Sequence, residues 1–230
     1  MSTPARRAVL LSWSGGKDAA WSLHVMRMRG DVEVVGLLTT VNTGVDRIAM
    51  HGIRRDVLQA QADATGLPLV EAAIEPLCDN ERYEVAIADA LERARSRWPT
   101  LDTVAFGDLF LADVRAWREA SLAKLGWRVE TPLFGADTAS LAREMIAGGL
   151  RAYLCCVDTQ QIDASFSGRT FDDLLLADLP AGCDPCGENG EFHTLVVGGP
   201  MFVGSIAVRA GEQVLRDGRF FYTDFIRAGD

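Results

Sequence analysis

Residues 9–21 read VLLSWSGGKDAAW, a pattern that predicts a strand, a tight turn and a helix in succession. An apolar run over 8–11 predicts a buried strand, and an apolar segment of helical length over 18–28 follows the two glycines. Adjacent glycines permit a tight turn and the close approach of a ligand, and the start of a helix presents unpaired N–H groups to an anion. The stretch therefore predicts a phosphate-binding loop. The alternative is a Gly-Gly turn that only joins a strand to a helix.

The polar side chains of this loop suit a nucleotide. Serine hydroxyls can donate to phosphate oxygens, Lys17 adds a mobile cation, and Asp18 suits either the first helical turn or a magnesium ion. The spacing is neither the Walker pattern nor the dinucleotide GxGxxG pattern. The predicted nucleotide-binding residues of the loop are Ser12, Ser14, Gly15, Gly16, Lys17 and Asp18, and Asp18 is also the predicted metal ligand.

The rest of the first half alternates strand-like and helix-like segments. Strands are predicted over 33–41, 69–73, 103–106 and 127–131, and helices over 54–65, 80–98 and 113–125. This alternation predicts a Rossmann-like α/β fold, a parallel sheet with helices on both faces. In such a fold ligands bind beyond the carboxyl ends of the strands.

A change in character after Phe134 predicts a second unit. We expect a nucleotide-binding domain over 1–134 and a smaller C-terminal domain of mixed α/β structure over 135–230. The segments predicted in the second unit are a helix over 138–147 and strands over 151–157, 194–197, 202–208 and 219–223.

The composition limits the classes of function. The chain has 230 residues, of which 48% are hydrophobic, and a mean hydropathy of +0.08, which suits a compact globule. No segment is apolar over the length of a membrane span, and the first apolar run is too interrupted for a cleavable signal peptide. A net charge of −9 argues against broad nucleic-acid binding. Five cysteines, an odd number, without a secretion signal predict reduced thiols in the cytoplasm. The composition leaves open whether the chain forms a homodimer.

A second group of reactive side chains lies in the C-terminal unit, where residues 183–194 read CDPCGENGEFHT. This combination could bind metal, position a nucleophile or hold a cationic substrate. A thiol-transfer site would use the CxxC pair, and a zinc site would use Cys183, Cys186 and His193 with Cys155 or Cys156. The structural alternative is that each cysteine is a small buried hydrophobe, and it is favoured for Cys78, Cys155 and Cys156.

Two further loops follow predicted strands. Gly107 permits the close approach of a ligand, and Asp108 comes next to it. Arg115 and Glu119 are four residues apart and share a helix face, where an exposed ion pair is the alternative. The loop after the second strand adds two nucleotide-binding candidates, Met50 and His51, for which a structural role is the alternative.

Three of these motifs together resemble one known family. They are SGGKD at 14–18, Gly107 with Arg115 and Glu119, and CGENGEFHT at 186–194. The first is similar to the SGGxDS signature of the PP-loop ATP pyrophosphatases. The combination resembles the diphthine ammonia ligase family of that superfamily, over about residues 8–208.

The resemblance implies an ATP-dependent, AMP-forming amide ligase. ATP and Mg²⁺ would bind at the loop, ATP would be cleaved between its α and β phosphates to adenylate a small-molecule or protein carboxylate, and ammonia would then displace AMP. Adenylation is needed because carboxylate oxygen is a poor leaving group. The catalytic residues carried over are Lys17, Arg115, Glu119, Glu188, Glu191 and His193, and the cofactor-binding residues add Met50, His51, Gly107 and Asp108 to the loop.

The chain departs from the family pattern at two places. Ala19 stands where the signature has serine, which removes one hydroxyl contact to pyrophosphate. Asn189 and His193 replace a glycine and a glutamate, as in a bacterial-type branch, so the ATP chemistry is expected to transfer better than translation elongation factor 2 as the acceptor. Two alternatives stay open: a sulfur-inserting enzyme that uses Cys183 and Cys186, and a non-catalytic adenine nucleotide-binding module.

Overall fold

The computed structural model describes residues 6–48, 51–76 and 78–229. The strands in these ranges are β1 (Arg7–Ser12), β2 (Val32–Asn42), β3 (Arg47–Ile48), β4 (Leu69–Ile74), β5 (Thr103–Ala105), β6 (Arg128–Glu130), β7 (Arg151–Asp158), β8 (Phe192–Gly198), β9 (Val208–Arg216) and β10 (Phe220–Arg227). The helices are α1 (Lys17–Arg29), α2 (Arg55–Thr65), α3 (Asn80–Arg97), α4 (Ala112–Ala123), α5 (Thr138–Ala147) and α6 (Asp173–Asp178), with a 3-10 helix at Ala164–Phe166.

The first sheet is parallel in the order β4-β2-β1-β5-β6, and β3 adds a short antiparallel pairing at the end of β2. β1 lies at its centre with both faces buried, which explains the unbroken apolar run of that strand. Val9 and Leu11 pack in the cluster that contains α1 and α2, whereas Leu10 packs in the cluster that contains α3 and α4. The predicted α/β fold with helices on both faces is therefore confirmed.

The second sheet is antiparallel in the order β8-β7-β10-β9, and α5 and α6 contribute to its core. The strand predicted over 202–208 is wrong. The N–H of Phe202 instead donates to the carbonyl of Gly199 in a turn, and Gly204 has a φ of +88°, which an extended strand does not have. The strand β9 begins at Val208, where the predicted one ends, while β3 and α6 have no counterpart among the predicted segments.

One buried core connects the two sheets. Leu23 and Met26 of α1 belong to the same cluster of buried residues as Leu195 and Val196 of β8. The division into domains at residue 134 stays a prediction. Of the helices in the described ranges, none has the length and apolarity to cross a membrane.

Candidate functional site

Three neighbouring parallel strands bring Ser12, Thr39 and Gly107 to one edge of the first sheet. β1 ends at Ser12 and leads into the predicted phosphate loop, β2 carries Thr39 near its end, and β5 leads into Gly107. Ligands of such sheets bind at this carboxyl edge. A cavity of about 1010 Å³ opens here, and the three residues line it.

A buried glutamine holds the backbone of the loop. Gln61 of α2 accepts a hydrogen bond from Trp13 Nε1 (3.0 Å) and donates to the carbonyl oxygens of Gly15 (3.0 Å) and Val196 (2.7 Å). Gly15 has a φ of +80°, which favours glycine, and a Cβ there would lie 2.8 Å from Gln61 Oε1. Gln61 was not among the predicted residues. Its sequence signal is a polar residue on the apolar face of α2, beside Val57, Leu58 and Ala62.

Strand β8 of the second sheet supports the same loop. The N–H of Val196 donates to the carbonyl of Gly15 (3.0 Å), and the N–H of Lys17 donates to Thr194 Oγ1 (3.0 Å). Hydrogen bonds from α2 and from β8 therefore hold the shape of the loop.

Lys17 is a fixed charge rather than the mobile cation expected. Its residue is 2% exposed, and its Nζ donates to both carboxylate oxygens of Asp18 (2.8 and 3.0 Å) and to the carbonyl of Cys186. Burial lowers the pKa of Lys17, but the charge and hydrogen bond of Asp18, together with the charges of Cys186 and Glu188, outweigh this, and the pKa is raised. The ammonium thus ties the loop to the 183–194 segment, while the Asp18 side chain is 27% exposed at the cavity.

Gly107 brings the loop after β5 against the start of α1. A Cβ there would lie 2.8 Å from the carbonyl carbon of Asp18, so a side chain does not fit. The next residue, Asp108, forms an ion pair with Arg118 of α4 (2.9 Å), and the Arg118 guanidinium lies 4.2 Å from the ring centroid of Phe106.

The face of α4 that lines the cavity is not the one that carries the predicted residues. Arg115 and Glu119 form an exposed ion pair (2.8 Å), with Arg115 4.6 Å from the ring centroid of Phe134, and neither lines the cavity. Their catalytic role stays a prediction. The α4 residues that do line it are Val114, Trp117, Arg118, Ser121 and Leu122. Their spacing of three and four is the sequence signal for this face.

Two histidines face each other at the cavity, with ring centroids 4.7 Å apart. His51 Nδ1 lies 3.1 Å from the carbonyl oxygen of Thr194 and donates to it, so Nε2 is the acceptor nitrogen. Burial lowers the pKa of His51 to about 4 and that of His193 to about 3, and the charge of Lys17 lowers both. Both imidazoles are therefore neutral at pH 7.

The two glutamates of the 183–194 segment lie in different surroundings. Glu188 lines the cavity, its Oε1 accepts from the N–H of Leu109 (2.9 Å), and burial raises its pKa. Glu191 is 2% exposed and accepts from the N–H groups of Asp184 (2.8 Å) and Asn189 (2.9 Å). Glu191 therefore holds the turn that presents Glu188, and its catalytic role stays a prediction.

Cys183 and Cys186 are separate free thiols. Their Sγ atoms donate to different carbonyls, those of Asp184 (3.6 Å) and Thr138 (3.4 Å). Burial raises the pKa of each thiol to about 12, whereas the reactive form is the thiolate. This arrangement does not favour the sulfur-inserting alternative. In the described part of the chain, no three His, Cys, Asp or Glu side chains are grouped to hold a metal ion.

Two buried hydroxyls in the described ranges, those of Ser22 and Thr39, have no hydrogen-bond partner. Thr39 lines the cavity, whereas Ser22 is fully buried and does not. Ala19 lines the cavity at the position of the signature serine, so Ser22 does not take that place. Because buried polar groups are normally paired, Thr39 is a candidate ligand contact. It was not predicted, and its signal is the hydroxyl pair Thr39-Thr40 that interrupts an apolar strand.

The cavity brings together most of the predicted site residues, although their roles stay predictions. Those that line it are Ser12, Ser14, Lys17, Asp18, His51, Gly107, Asp108, Glu188 and His193. Gly15 and Gly16 belong to the adjoining loop, while Arg115, Glu119 and Glu191 are not part of the lining and Met50 lies outside the described residues.

Comparison with known proteins finds similarity along most of the chain. Residues 6–129 match the family described as Diphthamide synthase N-terminal domain, and residues 137–225 match Diphthamide synthase C-terminal domain. A diphthine–ammonia ligase of Schizosaccharomyces pombe is 26% identical over 87% of this chain, which spans only 36% of that protein. The ligases of the same name from Danio rerio and Mus musculus are 26% and 23% identical over 93% and 90% of this chain, and 91% and 85% of their own lengths are covered.

Proposed function

Because this chain belongs to the diphthamide synthase family, we propose that it is an ATP-dependent, AMP-forming amide ligase. The α-phosphorus of ATP is attacked by an acceptor carboxylate with release of pyrophosphate, and ammonia then attacks the acyl carbon and displaces AMP. The observation that carries the proposal is that the phosphate loop and the 186–194 segment, from two different sheets, meet at one cavity. The proposed acceptor is a carboxylate, and the proposed location is the cytoplasm, as the composition predicts. Homodimer formation and the lack of nucleic-acid binding stay predictions.

The proposed phosphate site consists of the loop and the start of α1. Gly16 precedes α1 as its N-cap and supplies no side-chain cap. The N–H of Lys17 donates to Thr194 Oγ1, and the other N–H groups of the first turn are proposed to bind an anion. Ser12 and Ser14 add hydroxyl donors at the same place. The orphan hydroxyl of Thr39 is the proposed contact to another part of the nucleotide.

Asp18 suits a magnesium ion that is held mainly by phosphates. Its carboxylate is partly exposed at the cavity, and no cluster of acidic ligands accompanies it in the described ranges. Mg²⁺ usually binds through one or two carboxylates together with substrate phosphates, so this sparse set of ligands fits it. When bound, the ion would neutralise charge on the departing pyrophosphate.

Glu188 and the two histidines are the proposed nitrogen site. The neutral His51 offers Nε2 as a hydrogen-bond acceptor for ammonia, and His193 lies beside it. As the C–N bond forms, the nitrogen must lose a proton. The Glu188 carboxylate accepts it, because burial makes that group more basic than an exposed glutamate.

Calorimetric titration with ATP and AMP, followed by pyrophosphate release across a panel of carboxylic acids with Mg²⁺ and ammonium chloride, tests the proposal. We expect nucleotide binding and the formation of one AMP and one pyrophosphate for each amide. The proposal fails if neither nucleotide binds, if ATP is cleaved to ADP, or if AMP binds tightly without acceptor-dependent turnover.

A further inference from the structure

The cavity continues from the phosphate loop into an apolar groove between α3 and α4. The residues that line the groove are Tyr83 and Ile87 of α3, Val114 and Trp117 of α4, Leu111 just before α4 in the chain and Leu125 just after it. The whole cavity, about 1010 Å³, lies at the upper end of the roughly 300–1,000 Å³ of small-molecule sites. It therefore has room for a second small ligand beside a nucleotide.

The groove keeps large apolar side chains in contact with water. Trp117 is 47% exposed and Leu125 is 38% exposed. Scattered exposed apolar residues need no explanation, but exposed apolar surface that adjoins a cavity indicates a binding groove. Burial of this surface by a ligand would be favourable.

The charges along the groove are balanced. Arg118 is paired with Asp108 and covers the ring of Phe106, and the exposed rim residues Glu84 and Lys124 carry opposite signs. A charged part of a ligand would lose hydration here, and the rim favours neither sign of charge because Glu84 and Lys124 carry opposite signs. An uncharged hydrocarbon part of a ligand has no hydrated charge to lose, and the burial of its apolar surface is favourable.

We propose that this groove holds the uncharged apolar body, an alkyl chain or an aromatic ring, of a small monocarboxylic acid. This inference rests on the proposed function, since the carboxyl group of the acid lies at the phosphate-loop end of the cavity, where it is adenylated. Trp117 is then the residue that selects the acceptor, because it is the largest apolar side chain on the groove surface.

A series of acids titrated into the full chain tests the inference. The probes are butanoate, hexanoate and octanoate, each added in the presence of Mg²⁺ and the uncleavable analogue α,β-methylene-ATP, with the dicarboxylate suberate as a charged counterpart of octanoate. We expect Kd to fall about fourfold for each methylene added and suberate to bind more weakly than octanoate. Trp117→Ala should weaken octanoate binding by about tenfold and flatten the dependence on chain length.

Phe110→Ala is the matched control, because Phe110 is an aromatic residue of similar exposure (40%) that does not line the cavity. It should keep the chain-length dependence of the unaltered protein. Affinity that is independent of chain length, or tighter binding of suberate, overturns the inference. A Trp117→Ala variant that weakens binding of the ATP analogue and not of octanoate also overturns it, since the groove would then hold the base. If the ATP analogue does not bind the unaltered protein, the proposed function fails together with the inference. If the analogue binds but the acids show no dependence on chain length, only the inference about the groove fails.

Discussion

At the scale of single residues, the orphan hydroxyl of Thr39 allows the sharpest test of the nucleotide site. Thr39→Val keeps the shape of the side chain and removes the hydroxyl, so ATP and AMP should bind about 2- to 12-fold more weakly, the value of one hydrogen bond. The unliganded variant should be as stable as the parent or more so, because a buried unpaired hydroxyl is lost. Calorimetry and urea unfolding measure the two effects.

Ser22→Ala is the control for this substitution. It also removes a buried unpaired hydroxyl, but one that lies outside the cavity lining. It should leave nucleotide affinity unchanged. If the Thr39→Val variant binds AMP as tightly as the parent protein, the proposed contact between the Thr39 hydroxyl and the nucleotide is refuted.

The facing histidines predict a stability that falls in weak acid. His51 and His193 have pKa values near 4 and 3 in the folded chain against 6.5 when unfolded, because burial disfavours the imidazolium. Below about pH 6.5 the unfolded chain binds more protons than the folded one. The free energy of unfolding therefore decreases as the pH is lowered, until the pKa values of the folded chain are reached. From pH 6.5 to about 5.5 the loss should be about 1 kcal/mol for each imidazole.

Urea unfolding at several pH values measures this loss, and the double variant His51→Gln/His193→Gln should lose much of the slope. A free energy of unfolding that is level over this interval, or an unchanged slope in the double variant, would contradict the burial of neutral imidazoles.

The two arginines of α4 separate the predicted face from the observed one. Arg118 lines the cavity and pairs with Asp108, whereas Arg115 forms an exposed pair with Glu119. Arg118→Ala should lower kcat/KM for acceptor-dependent pyrophosphate release by roughly tenfold or more. Arg115→Ala should change it by less than about twofold and cost about 0.5 kcal/mol of stability. Equal loss in both variants would restore the role that the sequence predicts for Arg115.

At the scale of elements, the turn between β1 and α1 depends on more than backbone freedom. Gly15 and Gly66 have nearly the same positive φ, +80° and +72°, but a Cβ at Gly15 would meet Gln61 and Ile53, and one at Gly66 would meet nothing within 4 Å. Gly66→Ala should therefore show the conformational cost alone, about 1 kcal/mol. Gly15→Ala should cost more and also weaken ATP binding, as urea unfolding and calorimetry would report. Equal costs with unchanged ATP affinity would argue against the contact of the loop with Gln61.

The sequence is informative where one local rule decides an element, and less so where tertiary contacts decide it. The apolar run of β1 and the helical pattern of α5 predict those elements nearly residue by residue, because a buried parallel strand and an amphipathic helix have distinct periods. The same rule fails over 202–208, where Gly204, at a positive φ, interrupts the apolar run and the chain bends. Gln61 and the cavity-lining face of α4 were missed for a related reason. The contacts of those side chains depend on how α2 and α4 pack against elements that are distant in the sequence, which no local pattern shows.

At the scale of the whole molecule, the two predicted domains should unfold together. The core joins α1 to β8, the N–H of Val196 bonds to the loop carbonyl of Gly15, and Asp224 of β10 forms ion pairs with Arg47 and Arg54 (2.8 and 2.6 Å). Removing either half would expose a large part of this core. We therefore expect one cooperative transition in urea.

The positions of the tryptophans make this prediction testable without labels. All five tryptophans lie before residue 134, although Trp13 also contacts Phe202 and Trp21 donates a hydrogen bond to Glu144. Their fluorescence therefore reports on the first sheet and its contacts with the second half of the chain, whereas amide hydrogen exchange in β7 and β10 reports on the second sheet itself. The two signals should share one midpoint and one free energy of unfolding. If β7 and β10 exchange with a lower free energy than the fluorescence transition gives, the second sheet opens by itself and the division at residue 134 is a true domain boundary. Since β8 supports the phosphate loop, separate opening of the second sheet would also release bound ATP. If the two transitions instead coincide, bound nucleotide should stabilise both sheets equally.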